Sequence, residues 1–135
     1  MSQTELFRRL GASLANSRWS WGSVREADGT VFMRVWQDRV RRHEDRNFVQ
    51  VTHNAEYAEN IDNLGHQERQ RHVELVRQGA PCYMVMCQAV DVNALPRSVK
   101  DFNSDEVFPG GRVIDLDGET WIELCQRVSV QQVRL

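Results

Sequence analysis

The sequence predicts an α+β fold: a curved, mainly antiparallel sheet or small barrel of about six strands, with two helices. Three observations carry this. Asp28-Gly29 and Asp117-Gly118 each sit between runs of alternating apolar and polar residues, the pattern of a β-hairpin. "APCYMVMCQAV" (80–90) is a short apolar run that begins beside a proline and suits a central strand. Two other segments carry helical caps and stops. A length of 135 residues fits one domain, 1–135, around one core.

The first segment, "SQTELFRRLGASL", places Leu6, Phe7, Leu10 and Leu14 near helical spacing, with Ser2 or Thr4 as cap and Gly11 as a stop. "RWSWGSVREADGTVFMRVW" (18–36) then reads as a hairpin. A type I′ turn at Asp28-Gly29 pairs Ala27 with Thr30, Arg25 with Phe32, Ser23 with Arg34 and Trp21 with Trp36. One face then holds Val24, Val31, Met33 and Val35, a natural core face. The other mixes Trp19, Trp21, Phe32 and Trp36 with Arg25 and Arg34.

"RVRRHEDRN" (39–47) is a charge run that reads as a solvated loop, and "FVQVTH" (48–53) as a strand. "NLGHQERQRHVELVRQG" (63–79) reads as a helix, with Asn60 or Asp62 before it as cap and Gly79 as its stop. Its apolar residues are few (Leu64, Val73, Leu75, Val76), and its broad exposed face is expected to carry Arg69, Arg71 and Arg77. Residues 91–111 form a long connection, either a functional loop or one holding a short helix near 98–102. "GRVIDLDGETWIELC" (111–125) repeats the turn chemistry of the first hairpin and aligns with it without gaps. "RVSVQQVRL" adds an alternating final strand.

Composition narrows the function classes. The formal net charge is -2, so nucleic-acid binding would need a local basic face. Lys100 is the only lysine. Arginine suits bidentate contact with phosphate, carboxylate or guanine, although a GC-rich genome gives the same bias. The three cysteines Cys82, Cys87 and Cys125 read as reduced thiols, and no apolar run is long enough for a membrane span, so a soluble cytoplasmic protein without a membrane partner is expected.

No catalytic pattern emerges. Cys82, Cys87 and the four histidines lack the spacing of a zinc site, so no metal is expected. Neither a nucleophile elbow nor a phosphate-cradling glycine loop occurs, so no cofactor is expected. His53 with Glu56, His72 with Glu74, and Asp115 with Glu119 are the nearest approaches to acid–base pairs, and each has an ordinary structural reading. What remains is aromatic plus arginine. Trp19, Trp21 and Trp36 with Arg18, Arg25 and Arg34 make a candidate binding set in which indoles stack bases and guanidiniums neutralise phosphates. The competing reading of the same residues is a second core layer rimmed by arginine stems, since tryptophans are highly buried on average, and a protein interface is the third.

The segments "NSRWSWGSVRE…GTVFMRVWQD", "DNLGHQERQRHVELVRQG" and "GGRVIDLDGETWIEL" resemble a family of uncharacterised bacterial and phage-borne proteins, some of which accompany restriction or other defence functions. That resemblance brings no catalytic residues with it. In layout, without a shared signature, the chain is also similar to small PUA/EVE-type barrels, which read modified bases. The leading expectation is thus a non-enzymatic module binding nucleic acid, modified bases included, or a nucleic-acid-processing complex. A protein-interaction or inhibitor module of phage or bacterial defence, with a homodimer as one form, is the second. A hydrolase or nuclease using His53 or Asp115 and Glu119 is the third.

Overall fold

The computed structural model describes residues 1–135. Helix α1 (Gln3–Arg9) starts where Ser2 Oγ accepts from the Glu5 amide, and it ends ahead of Gly11, whose φ of 74° reverses the chain. Strands β1 (Gly22–Arg25) and β2 (Thr30–Trp36) follow. A 3₁₀ turn (Gln37–Arg39) leads to β3 (Val40–His43) and β4 (Arg46–Gln50). Helix α2 (Leu64–Arg77) is capped by Asn63, which accepts from the His66 amide. Then come β5 (Cys82–Ala89), β6 (Val99–Phe102), β7 (Glu106–Leu116), β8 (Glu119–Leu124), β9 (Val128–Ser129) and a short α3 (Val130–Val133).

The α+β class holds, and the sheet is mixed but mostly antiparallel. Its nine strands run β1-β2-β5-β7-β8-β4-β3, with β6 on β5 and β9 on β7, and only β2 with β5 is parallel. The sheet is not closed: β1 and β3 end the path unpaired with each other. So the structure has nine strands and three helices, and no six-stranded barrel. The extra elements come from three segments read otherwise in the sequence. The charge run 39–47 folds into the β3–β4 hairpin, whose turn puts Glu44 and Asp45 at φ 50° and 62°. Two residues at positive φ make a type I′ turn without glycine, so the usual turn signal is missing. The 91–111 connection contains β6 and the start of β7 in place of a helix. The last segment is strand only over Val128–Ser129, because Ser129 and Gln132 form a capping box that starts α3.

The two Asp-Gly turns differ. In β7–β8 both Asp117 (φ 55°) and Gly118 (φ 81°) are left-handed, and Leu116 pairs with Glu119 across a two-residue turn. In β1–β2 only Gly29 (φ 76°) is, and Arg25 pairs with Thr30 across a four-residue loop. The cause is Arg25, whose fork grips Asp28 through Nε (3.1 Å) and Nη2 (2.9 Å) and draws the aspartate back into the loop. Ser23 therefore faces Phe32, and Arg34 donates its amide to the Trp21 carbonyl. The register shifts by two residues, so side chains keep their faces, but the gap-free alignment of the two hairpins does not describe matching turns.

Both faces of the sheet are buried. On one, α1 lays Leu6, Phe7 and Leu10 against Phe32, Val85 and Val107, with Val130 of α3 beside them. On the other, Val31, Met33, Val49, Met84 and Ile122 pack with Val73 and Val76 of α2. Each fully buried side chain of this size removes about 1.5–3 kcal/mol worth of apolar surface from water. No helix is long and apolar enough to cross a membrane.

The curvature brings the two margins of the sheet together, and α2 bridges them with one side chain. Arg69 Nη1 donates to the carbonyl of Val51, just after β4, at 2.9 Å. Its Nη2 donates to those of Trp21, just before β1 (2.8 Å), and Arg34 on β2 (2.7 Å).

Candidate functional site

Arg69 is the most deeply buried cation of the fold, 2% exposed, although the sequence suggests an exposed helix face for it. It lies on one stripe with Gly65 and Val73, four residues to either side, and that spacing is the signal for its burial. Gly65 matters as well. A Cβ there would run into the Trp21 indole and the Trp19 carbonyl, so glycine lets α2 seat against Trp21.

Around Arg69 lies a cleft of about 50 Å3, walled by Trp21, Arg34, Trp36, Tyr57 and Arg97 and edged by Leu95 and Pro96. The Trp21 ring meets Tyr57 at 5.2 Å between centroids and His53 at 6.1 Å. Trp36 is flanked by two cations, Arg97 at 5.2 Å and Arg34 at 5.9 Å. Arg97 is locked by a bidentate pair with Asp38 (2.7 and 2.8 Å) and by the Val92 carbonyl. Glu56 pairs with Arg39 and lies 3.6 Å from His53 Nδ1.

The charge states follow from these surroundings. Burial pushes His53 below its usual value, so it is neutral at pH 7. Contact with His53, then Arg39, holds Glu56 down at about 2. Burial also lowers Arg34, and it pushes Arg69 down to about 9, with the neighbouring Arg34 charge as the next cause. Both guanidiniums stay charged at neutral pH. Yet neither forms an ion pair with a carboxylate. Arg34 has Gln3 Oε1 at 3.2 Å, and Arg69 has three backbone carbonyls while its Nε has no partner. Glu68, next to Arg69 in sequence, turns instead to Ser20 Oγ (2.9 Å) and the Trp21 amide (3.2 Å).

Of the six residues singled out by the sequence, the fold brings Trp21, Arg34 and Trp36 into this cleft. Trp19 is half-buried with its carbonyl against α2, and Arg18 is exposed on the preceding loop. Arg25 is 5% exposed and fully engaged, with Asp28 and with the carbonyls of Leu10 (3.0 Å) and Val133 (2.7 Å). Sequence reasoning missed Tyr57, Arg69 and Arg97, which come from segments far from the hairpin.

Of the acid–base pairs, His53 and Glu56 line this cleft, Glu56 paired with Arg39, while Asp115 and Glu119 are committed elsewhere. Asp115 bonds Arg77 and Thr120, and Glu119 accepts from Thr52 Oγ1 and the amides of Asn54 and Ala55, pinning the loop after β4. Burial raises the Cys82 and Cys87 thiols to about 11 and about 12, which leaves them unreactive. A larger hollow of about 840 Å3 lies over Met86, Phe108 and Leu124, rimmed by Asp101, Asn103 and Asp105. It has more room, but its only arginine, Arg127, already lies beside Glu106, so the unsatisfied charge is in the smaller cleft.

No protein-family model matches the sequence, and neither a curated protein nor a solved structure is significantly similar to it. The likeness to defence-linked proteins thus rests on the quoted segments alone.

Proposed function

We propose that this chain is a non-catalytic binding module for nucleic acid, and that its contact is an anionic group seated in the Trp21–Trp36 cleft. One observation carries the reading: Arg34 and Arg69 both line the cleft, Arg69 donates to the Arg34 carbonyl, and neither guanidinium has a carboxylate partner. Burying one uncompensated charge is costly, and a second like charge on the same cleft adds to that cost. An incoming anion relieves both at once. Aromatic walls beside such cations are what nucleic-acid grooves use to hold a base or sugar next to a phosphate. The contact is a recessed cleft in place of an open stacking platform, and Arg25 has no part in it.

The test is a tryptophan-fluorescence titration with single- and double-stranded oligonucleotides at rising salt, on the unaltered chain and on Arg34→Gln. Saturable binding that weakens with salt and with the substitution supports the reading. Unchanged emission with every oligonucleotide overturns it.

A second reading, a protein-interaction module, is favoured by the exposed apolar side chains Val90 (65%), Val92 (46%) and Leu95 (54%) on one connection. Sedimentation and pull-down from a bacterial lysate distinguish it: a stable protein complex insensitive to Arg34→Gln would favour it.

A further inference from the structure

We infer that the cleft takes a terminal phosphate monoester, the free phosphate at the end of a nucleic-acid strand, in preference to a phosphodiester within one. The inference rests on the nucleic-acid reading above and names the group that the site selects.

Charge is the first argument. The other charged groups lining the cleft are already balanced: Arg97 by Asp38, and Glu56 by Arg39. Arg34 and Arg69 are left over, and Glu68 offsets them only from a distance, since its oxygens bond Ser20 and Trp21. Two uncompensated guanidiniums match a monoester, which carries about −1.5 to −2 at pH 7, better than a diester carrying a single charge.

Room is the second. A cavity of about 50 Å3 is far smaller than the roughly 300–1,000 Å3 of pockets that enclose whole drug-sized ligands. It admits one compact group, end-on. A diester would need the chain to enter and leave, and the inner wall is Arg69, 2% exposed and tied to three carbonyls.

Donor supply is the third. Arg34 lines the cleft and spends only Nη1, on Gln3, which leaves its Nε and Nη2 N–H groups free. A monoester offers three terminal oxygens to these free N–H groups, where a diester offers two. The sugar and base that follow the phosphate would leave the cleft past the exposed Leu95 and Pro96.

The experiment compares one oligonucleotide with a 5′-phosphate, with a 3′-phosphate and with hydroxyls at both ends, on the unaltered chain at fixed salt. Inorganic phosphate and a mononucleotide serve as free-phosphate probes. One phosphorylated end should bind about tenfold tighter than the hydroxyl form. That advantage should vanish in Arg34→Gln, persist in Arg18→Gln, and shrink below pH 6 as the monoester takes up a proton. Salt-sensitive binding that is equal for all three ends overturns the terminal-phosphate inference while the nucleic-acid reading stands. Binding of inorganic phosphate or mononucleotide with no gain from an attached strand overturns the strand end as the source. Binding of no probe overturns both readings. The ligand comparison needs no variant, so a poorly folding Arg34→Gln does not decide it.

Discussion

Arg69 donates through Nη2 to the backbone carbonyl of Arg34 at 2.7 Å, so one buried guanidinium fixes the strand that presents the other. The same group also holds Trp21 and Val51, from opposite margins of the sheet. Sheet margin and cleft wall are therefore a single construction, and a change at Arg69 reaches both.

Arg69→Leu should destabilise the fold by about 3 kcal/mol or more, because three carbonyls lose a charged donor and bonds to charged groups contribute about 1.5–3 kcal/mol each. Arg69→Lys should recover only part, since one ammonium cannot span carbonyls on three segments. Urea midpoints measure this. An unchanged midpoint in Arg69→Leu would mean the margins hold together without the guanidinium.

Gly65→Ala should invert the usual rule. Alanine in a helix normally gains about 1 kcal/mol over glycine. Here its Cβ meets the Trp21 indole and the Trp19 carbonyl, so α2 must back away. The expected result is a lower melting temperature and shifted tryptophan emission. A rise in melting temperature would show that α2 does not press on Trp21.

Asp45→Gly should stabilise the β3–β4 hairpin. Asp45 sits at φ 62°, where a side chain costs about 1 kcal/mol and glycine costs nothing. The Arg42 bond to this residue goes to its carbonyl and survives the change. Thermal melts should rise by a few degrees, and a fall would count against the positive-φ turn.

Acid should weaken the fold through its buried histidines. Burial first, and then Arg69 and Arg71, push His72 from 6.5 down to about 4, and His53 and His66 are lowered by burial too. A lowered pKa means that the unfolded chain takes up the proton first. The stabilisation is complete above pH 6.5 and is lost as pH falls from 6.5 towards 4, by on the order of 2–3 kcal/mol for His72. His72→Gln should flatten that slope in urea midpoints measured across the range. A slope equal to that of the unaltered chain would relieve His72 of this role.

Much of the fold was legible because short-range chemistry specifies it. Period-2 patterning gave the faces of β1 and β2, and a register error of two left those faces intact. The Asp117-Gly118 turn obeys its glycine signal. The β3–β4 hairpin was hidden by a turn built on Glu44 and Asp45, and α3 by a capping box inside an alternating run. Half of the cleft was legible for the same reason: Trp21, Arg34 and Trp36 share one face of one hairpin. The other half was not. Tyr57, Arg69 and Arg97 arrive through long-range packing. Arg25 and Arg34 look alike in sequence, and only Asp28 and the carbonyls of Leu10 and Val133 separate the structural arginine from the one left unpaired.

An NMR titration with an oligonucleotide, following the arginine Hε and tryptophan Hε1 resonances, probes the unpaired guanidiniums most directly. Arg34, Arg69, Trp21 and Trp36 should shift together and saturate at one ligand concentration, while Arg18 and Arg25 stay in place. Shifts centred on Arg18 and Trp19, or spread over the exposed arginines with Arg69 Hε unmoved, would show that the buried pair is part of the scaffold and binds no anion.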